Sequence, residues 1–176
     1  MATRTGFGRD LLAGQWARAE FGALSTLWAA GLPVPYPVQL DGTEVLLEFV
    51  GTDGPDGAAA APRLAQLRPG PEQLDDLWHQ LAAALRGLAR QGVTHGDLSA
   101  FNLLVDGDRL VLIDLPQVVD VVGNPQGPAF LERDVARVAE WFAGRGLADA
   151  GWAADTLLDD LRAELGMAGP ATSHPR

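Results

Sequence analysis

An aspartate, Asp97, sits in the run Thr94-His95-Gly96-Asp97-Leu98-Ser99-Ala100-Phe101-Asn102, with Asn102 five positions later. A second aspartate, Asp114, closes the apolar stretch Arg109-Leu110-Val111-Leu112-Ile113. These are the groups a phosphoryl-transfer site needs on one side of a nucleotide. One carboxylate orients and deprotonates a hydroxyl, while an Asn and a second Asp hold Mg²⁺ against the phosphates. Mg²⁺ takes hard oxygen ligands in octahedral geometry and draws only one or two of them from protein, which Asn102 and Asp114 can supply. Asp97 must stay off the metal to receive the proton. His95 reads as a structural hydrogen-bonding residue, because Asp97 already fills the role of base. An isolated loop Asp is ordinarily a cap or turn residue. Here three further positions, His95, Asn102 and Asp114, fall at matching spacings together, and that lifts the set above a chance Asp.

The elements that must position these residues can be read from periodicity. Residues 15–30 carry Trp16, Ala19, Ala23, Leu24 and Leu27 at helical spacing, and Gly31 stops the helix. Leu32-Pro33-Val34-Pro35-Tyr36-Pro37 is an extended connector, because each Pro lacks the amide hydrogen a ladder needs. A hairpin is expected from Val38 to Leu40, a turn at Asp41-Gly42, and a strand from Glu44 to Val50. The Gly/Ala/Pro/Asp segment from Gly51 to Ala61 reads as a linker loop. The spacing of Leu74, Leu77, Trp78, Leu81, Leu85 and Leu88 predicts a helix over 71–91, with Pro71 at its start and Gly92 past its end. Strands are expected at Leu103–Val105 and Leu110–Ile113, joined by Asp106-Gly107-Asp108. A loop holding Gly123, Pro125, Gly127 and Pro128 leads to helices over 129–143 and 149–165. A Gly/Ala/Pro/Ser tail expected to be disordered follows.

Composition narrows the class. The chain has 176 residues, 47% of them hydrophobic, enough to bury a core. It has no Cys, which excludes disulfides and thiolate metal sites and fits a reducing, cytoplasmic setting. His79, His95 and His174 form no zinc spacing. The net charge of −10 and 13 dispersed basic residues do not favour direct nucleic-acid binding. Neither a membrane-spanning run nor an N-terminal apolar leader is visible. Every basic residue apart from His is Arg; there is no Lys.

With these residues in view, the chain resembles the RIO family of atypical serine/threonine protein kinases. The matching text is Trp16-Ala17-Arg18-Ala19-Glu20-Phe21, Gly31-Leu32-Pro33-Val34-Pro35, Leu47-Glu48-Phe49-Val50-Gly51, Ala61-Pro62-Arg63-Leu64, His95-Gly96-Asp97-Leu98-Ser99 with Asn102, Ile113-Asp114-Leu115-Pro116-Gln117, and Arg133-Asp134. It covers about residues 15–142. Aminoglycoside-type phosphotransferases share the His-Gly-Asp loop but not the Ile-Asp-x-x-Gln ending. The resemblance implies an α+β, protein-kinase-like fold of the RIO type. Its parts would be an extension over 1–14, an incomplete N-terminal lobe over 15–51 (one helix and a β-hairpin), a mostly helical C-terminal lobe over 52–166, and a tail over 167–176. It implies ATP and Mg²⁺ as cofactors, Asp97 as the catalytic residue and Asn102 and Asp114 as metal ligands. Asp114 is also a candidate phosphate acceptor in an ATPase-like cycle. Glu48, Phe49 and Val50 would form the hinge that meets adenine, with Leu104 on the pocket floor. Glu20, His95 and Ser99 would support the site.

The departures matter as much. Gly96 stands where ordinary protein kinases carry Arg, and Asp114-Leu115-Pro116 replaces Asp-Phe-Gly, so a phosphorylation-switched activation loop is not expected. Glu20 matches the Glu that normally pairs with a phosphate-binding Lys, yet the chain has no Lys. Gly6-Phe7-Gly8 is a bare Gly-x-Gly and reads as loop, and Arg does not simply replace the missing Lys. Three functions follow as expectations: a RIO-like kinase or ATPase read from an N-terminally short chain, a nucleotide-binding or scaffold pseudokinase, and a small-molecule phosphotransferase. ATP is the expected small-molecule partner, with a protein or small-molecule acceptor. An uncovered hairpin from Val38 to Val50 is expected to invite association.

Overall fold

A computed structural model describes residues 3–54, 57–115 and 118–167, with the backbone alone for 3–11. Along the chain run α1 (Thr3–Ala29), β1 (Pro37–Asp41), β2 (Glu44–Leu47), β3 (Gly51–Gly54), β4 (Gly57–Ala60), α2 (Pro71–Arg90), β5 (Val93–Thr94), β6 (Leu103–Asp106), β7 (Arg109–Leu112), β8 (Val119–Asp120), α3 (Gly127–Ala143) and α4 (Ala150–Glu164). Among the described residues this is an α+β architecture whose strands pair antiparallel as β1–β2, β3–β4, β5–β8 and β6–β7. The chain falls into two compact units, Met1–Leu67 with Ala100–Val118, and Arg68–Ser99 with Val119–Arg176. Pro116, Gln117 and the tail from Ala168 onward lie outside the described residues.

In the first unit α1 buries Ala17, Leu24 and Leu27 and packs on the β1–β2 hairpin. It ends where expected. Gly31 takes φ +78°, its amide donates to Trp28 O at 2.9 Å and that of Leu32 donates to Leu27 O at 3.0 Å. This pair of bonds satisfies carbonyls the last turn would leave open, with Leu27 and Leu32 both buried beside it. The helix starts much earlier than the sequence suggests, and Gly6-Phe7-Gly8 is helical rather than loop. Each interior Gly costs about 1 kcal/mol relative to Ala, but it keeps its amide donor. No Pro occurs from Thr3 to Ala29 to remove one.

The β1–β2 hairpin keeps its expected place, with Asp41 paired to Glu44 across the turn. Pro37 enters as its first residue, beside a register irregularity between Pro37 and Gln39, where a missing donor is tolerated. β2 stops at Leu47, short of the expected Val50. The supposed linker after Gly51 is instead a second hairpin, β3–β4, running from Gly51↔Ala60 to Gly54↔Gly57. Buried Val50 and Ala61 clamp its two ends, and Ala61 donates to Val50 O at 3.0 Å. The hairpin closes through its backbone, since its own side chains are exposed or nearly so. Beyond it, β6–β7 folds about Gly107-Asp108 as expected, Asp106 pairing with Arg109.

In the second unit α2 follows its pattern: Leu74, Leu77, Leu81, Leu85 and Leu88 are all buried. Burying each such side chain contributes about 1.5–3 kcal/mol. Trp78 meets Phe142 of α3 edge to face, with ring centroids 5.3 Å apart. α4 adds Leu157 and Leu161 to the core. Ion pairs Arg86–Asp160 at 2.7 Å and Arg162–Glu132 at 2.7 Å tie it to α2 and α3. α3 begins at Gly127, so Gly127 and Pro128 belong to its first turn rather than to the preceding loop. Pro is tolerated there because first-turn amides have no intrahelical acceptor. The short β5–β8 pair has no sequence signal of its own. No helix among the described residues is long and apolar enough to cross a membrane.

Candidate functional site

β5 delivers the chain from the end of α2 into the loop that carries Asp97. Its conformation is imposed by one buried carboxylate. Asp134, on α3 and 0% exposed, accepts from Thr94 Oγ1 at 2.9 Å and the Gly96 amide at 2.7 Å through Oδ2. Through Oδ1 it accepts from the Leu98 amide at 3.0 Å. Three donors on one carboxylate satisfy a charge that would otherwise be costly to bury. Gly96 has φ +85°, a left-handed conformation that side chains other than Gly adopt with strain. His95 is fully buried, and its Nδ1 accepts from the Asp97 amide at 3.4 Å. The Asp97 side chain is 58% exposed. Its Oδ1 accepts from Arg137 Nη1 of α3 at 2.6 Å. Arg133, one turn earlier on α3, donates to the Gly96 carbonyl.

The other two motif residues belong to the first unit. A 3₁₀ turn over Ala100–Asn102 leads into β6. Arg63 donates to the Phe101 carbonyl within it. The Ile113 amide donates to Asn102 O at 3.0 Å, extending the β6–β7 ladder by one pair beyond Leu103↔Leu112. Asn102, itself buried, therefore lies opposite the residue that precedes Asp114. Asp114 has φ +62°. A left-handed non-Gly residue is uncommon outside Asn and Asp and costs about 1–2 kcal/mol, and such strain gathers at functional positions. An amide oxygen and a carboxylate at the end of one ladder are hard donors in the number Mg²⁺ takes from protein. Among the described residues no group of three or more His, Asp or Glu side chains could hold a metal ion.

The adenine-facing candidates separate. Val50 and Leu104 join Ala61, Val111 and Ile113 in one apolar cluster, which brings the expected floor residue together with one of the three expected hinge residues. Phe49 is exposed instead. Glu48 is spent locally: its amide donates to Tyr36 O at 2.8 Å and its Oε2 accepts from the Tyr36 amide at 3.0 Å. Ser99 is half-buried at the end of the loop that carries Asp97.

Glu20 of α1 is brought to Asp114. Its carboxyl is pushed above the ordinary Glu range, first by burial and then by the negative charge of Asp114. The folded state thus binds this proton more tightly than the unfolded chain. The associated stability is fully present below the unfolded pKa and is lost as pH rises through the folded one. Glu20→Gln should melt higher than the parent at pH 7, by roughly one to two degrees given its partial exposure. The gap should close as pH falls below the ordinary Glu value. Thermal melts at pH 7 and pH 4 read this directly, and a Gln variant less stable at pH 7 would refute it.

Sequence reasoning missed Asp134, Arg133 and Arg137 as site residues. The pair Arg133-Asp134 is visible as a motif, but only the tertiary arrangement shows what its carboxylate holds. Arg133 and Arg137 stand four residues apart on one helix, the sole linear signal that they face one target.

Known proteins resemble this chain over most of its length. Residues 4–153 match the RIO domain family. The RIO-type serine/threonine-protein kinase Rio1 of Haloferax volcanii is 36% identical over 135 residues, 77% of this chain and 44% of that protein. The serine/threonine-protein kinase RIO1 of Chaetomium thermophilum is 34% identical over 152 residues, 82% of this chain and 27% of that protein. The human serine/threonine-protein kinase RIO3 is 30% identical over 136 residues, 77% of this chain and 25% of that protein. The chain thus spans less than half the length of each of these three relatives. Matched over most of its length, with a kinase-like α+β fold, it belongs to the RIO domain family.

Proposed function

We propose that this chain carries out ATP-dependent phosphoryl transfer to a hydroxyl, as a RIO-type serine/threonine kinase or ATPase. The observation that supports this most is the Ile113-to-Asn102 backbone bond, which sets Asn102 beside the strained Asp114 at the end of the β6–β7 ladder. Asn102 and Asp114 would hold Mg²⁺, which when bound neutralises charge on the phosphates. The Val50 and Leu104 surface would take the adenine ring. Asp97 receives the acceptor's hydroxyl proton at its carboxylate while the acceptor oxygen bonds to the γ-phosphorus. The bond from that phosphorus to the β–γ bridging oxygen breaks, and ADP leaves.

Titration calorimetry with ATP, in the presence and absence of Mg²⁺, tests the reading. Binding that requires Mg²⁺ in the parent and falls at least tenfold in Asp114→Asn is expected. Mg²⁺-independent binding, or none, would overturn it. A second reading is favoured by one observation: no Lys exists in the chain to pair with Glu20, so electrostatic stabilisation of the transferring phosphate is reduced. In that case the chain binds Mg-ATP without turning it over, as a nucleotide-dependent binding module. Release of ADP above the uncatalysed rate rejects this second reading.

A further inference from the structure

We infer that Arg137 selects the phosphate acceptor, by offering its guanidinium to a carboxylate that flanks the acceptor hydroxyl in an acidic peptide. The inference rests on the phosphoryl-transfer reading and deepens it. α3 presents Arg133 and Arg137 one turn apart, and both engage the catalytic loop. Arg133 is committed: it donates to the Gly96 carbonyl, and its Cζ lies 4.6 Å from the centroid of the Phe130 ring. Arg137 is not. It makes one contact, Nη1 to Asp97 Oδ1 at 2.6 Å, between side chains 45% and 58% exposed. Among the described residues it has no other hydrogen-bond partner, which leaves Nε and the second amino group as donors in a planar fork suited to a carboxylate.

An ion pair this exposed contributes little to stability, so the fold does not require it. Its value lies in where it stands. With a net charge of −10 the chain repels anions, and an acidic acceptor reaches Asp97 only where a cation offsets that field. The acceptor carboxylate takes the edge of the guanidinium that Asp97 leaves unused, Nε and the second amino group. Binding an acidic acceptor then brings its neighbouring hydroxyl to the base. The proton passes from the hydroxyl to Asp97, and the phosphoryl bonds change as described above.

The test is fluorescence anisotropy on the full chain with two labelled peptides, a serine flanked by glutamates and the same peptide with glutamines. The parent should prefer the acidic peptide by about tenfold. Arg137→Ala should abolish the preference with an unchanged melting temperature, and Arg137→Lys should restore part of it. Asp97→Asn should bind the acidic peptide a few-fold more tightly, because the negative charge beside the bound carboxylate is gone, and adding Arg137→Ala should remove that gain, an effect no purely structural role for Arg137 produces. Arg86→Ala, which removes a distant cation, should leave the preference intact. Equal binding of the two peptides, binding of neither, or a preference that survives Arg137→Ala overturns the inference. So does a loss confined to ATP affinity, which would assign the guanidinium to the nucleotide. Failure of phosphoryl transfer itself is read separately: if Asp97→Asn leaves turnover intact while the peptide preference behaves as stated, the reaction assignment falls and the acidic-peptide site stands.

Discussion

Asp134→Ala should lower the melting temperature by roughly 6–20 °C, the shift expected for about 3–5 kcal/mol in a domain of this size. The substitution takes the acceptor away from three donors at once: the Thr94 hydroxyl and the amides of Gly96 and Leu98. The site is completely buried, so water cannot replace the lost oxygens without opening the loop. Asp134→Asn keeps one oxygen but turns an amide group toward a donor, so it should fall between parent and Ala. Differential scanning calorimetry of the three proteins gives the order. A melting point for Asp134→Ala within two degrees of the parent would show that the carboxylate does not hold the loop.

The second large effect is chemical. Asp97→Asn keeps the size of the side chain and removes the proton acceptor, so kcat for phosphoryl transfer should drop about 10²–10⁴-fold, the usual worth of a positioned base. The apparent KM for ATP should change little, since Asp97 stays off the metal in this reading. Stability should move by no more than about 1 kcal/mol, because the ion pair lost with Arg137 is exposed and Asn keeps the size and one oxygen of the side chain. The pairing of the two variants is informative. Asp134→Ala should reduce both folding and turnover, Asp97→Asn turnover alone. An Asp97→Asn protein that retains parental kcat would exclude this residue as the base.

Much of the frame could be read from the chain. α2 announces itself through five leucines at helical spacing, and β6–β7 through two short apolar runs around Asp106-Gly107-Asp108. α1 ends at Gly31, where a left-handed residue is needed. In each case the information is local: a periodicity or a turn requirement acts within a few residues. The errors fell where local rules are silent. Gly6-Phe7-Gly8 resembles a loop by composition, but glycine weakens a helix without breaking it. The hairpin from Gly51 to Ala60 has no alternating pattern, because its register is set by the bond between Val50 and Ala61 rather than by its own side chains. The β5–β8 pair joins residues far apart in the chain, and two residues per strand leave no periodicity to detect.

The same division holds for the site. By itself the sequence determined the kinds of group present and their order: a loop carboxylate, an amide five positions on, a carboxylate after an apolar strand, and no lysine anywhere. Those are properties of residue type and spacing. The tertiary structure decided that Asp134 is buried beneath the loop and that Glu20 lies near enough to Asp114 for the two carboxylates to repel. It also decided that Arg137 rests on Asp97. Burial and the meeting of charges remote in sequence are set by how helices and strands pack, and no spacing along one strand of text encodes them.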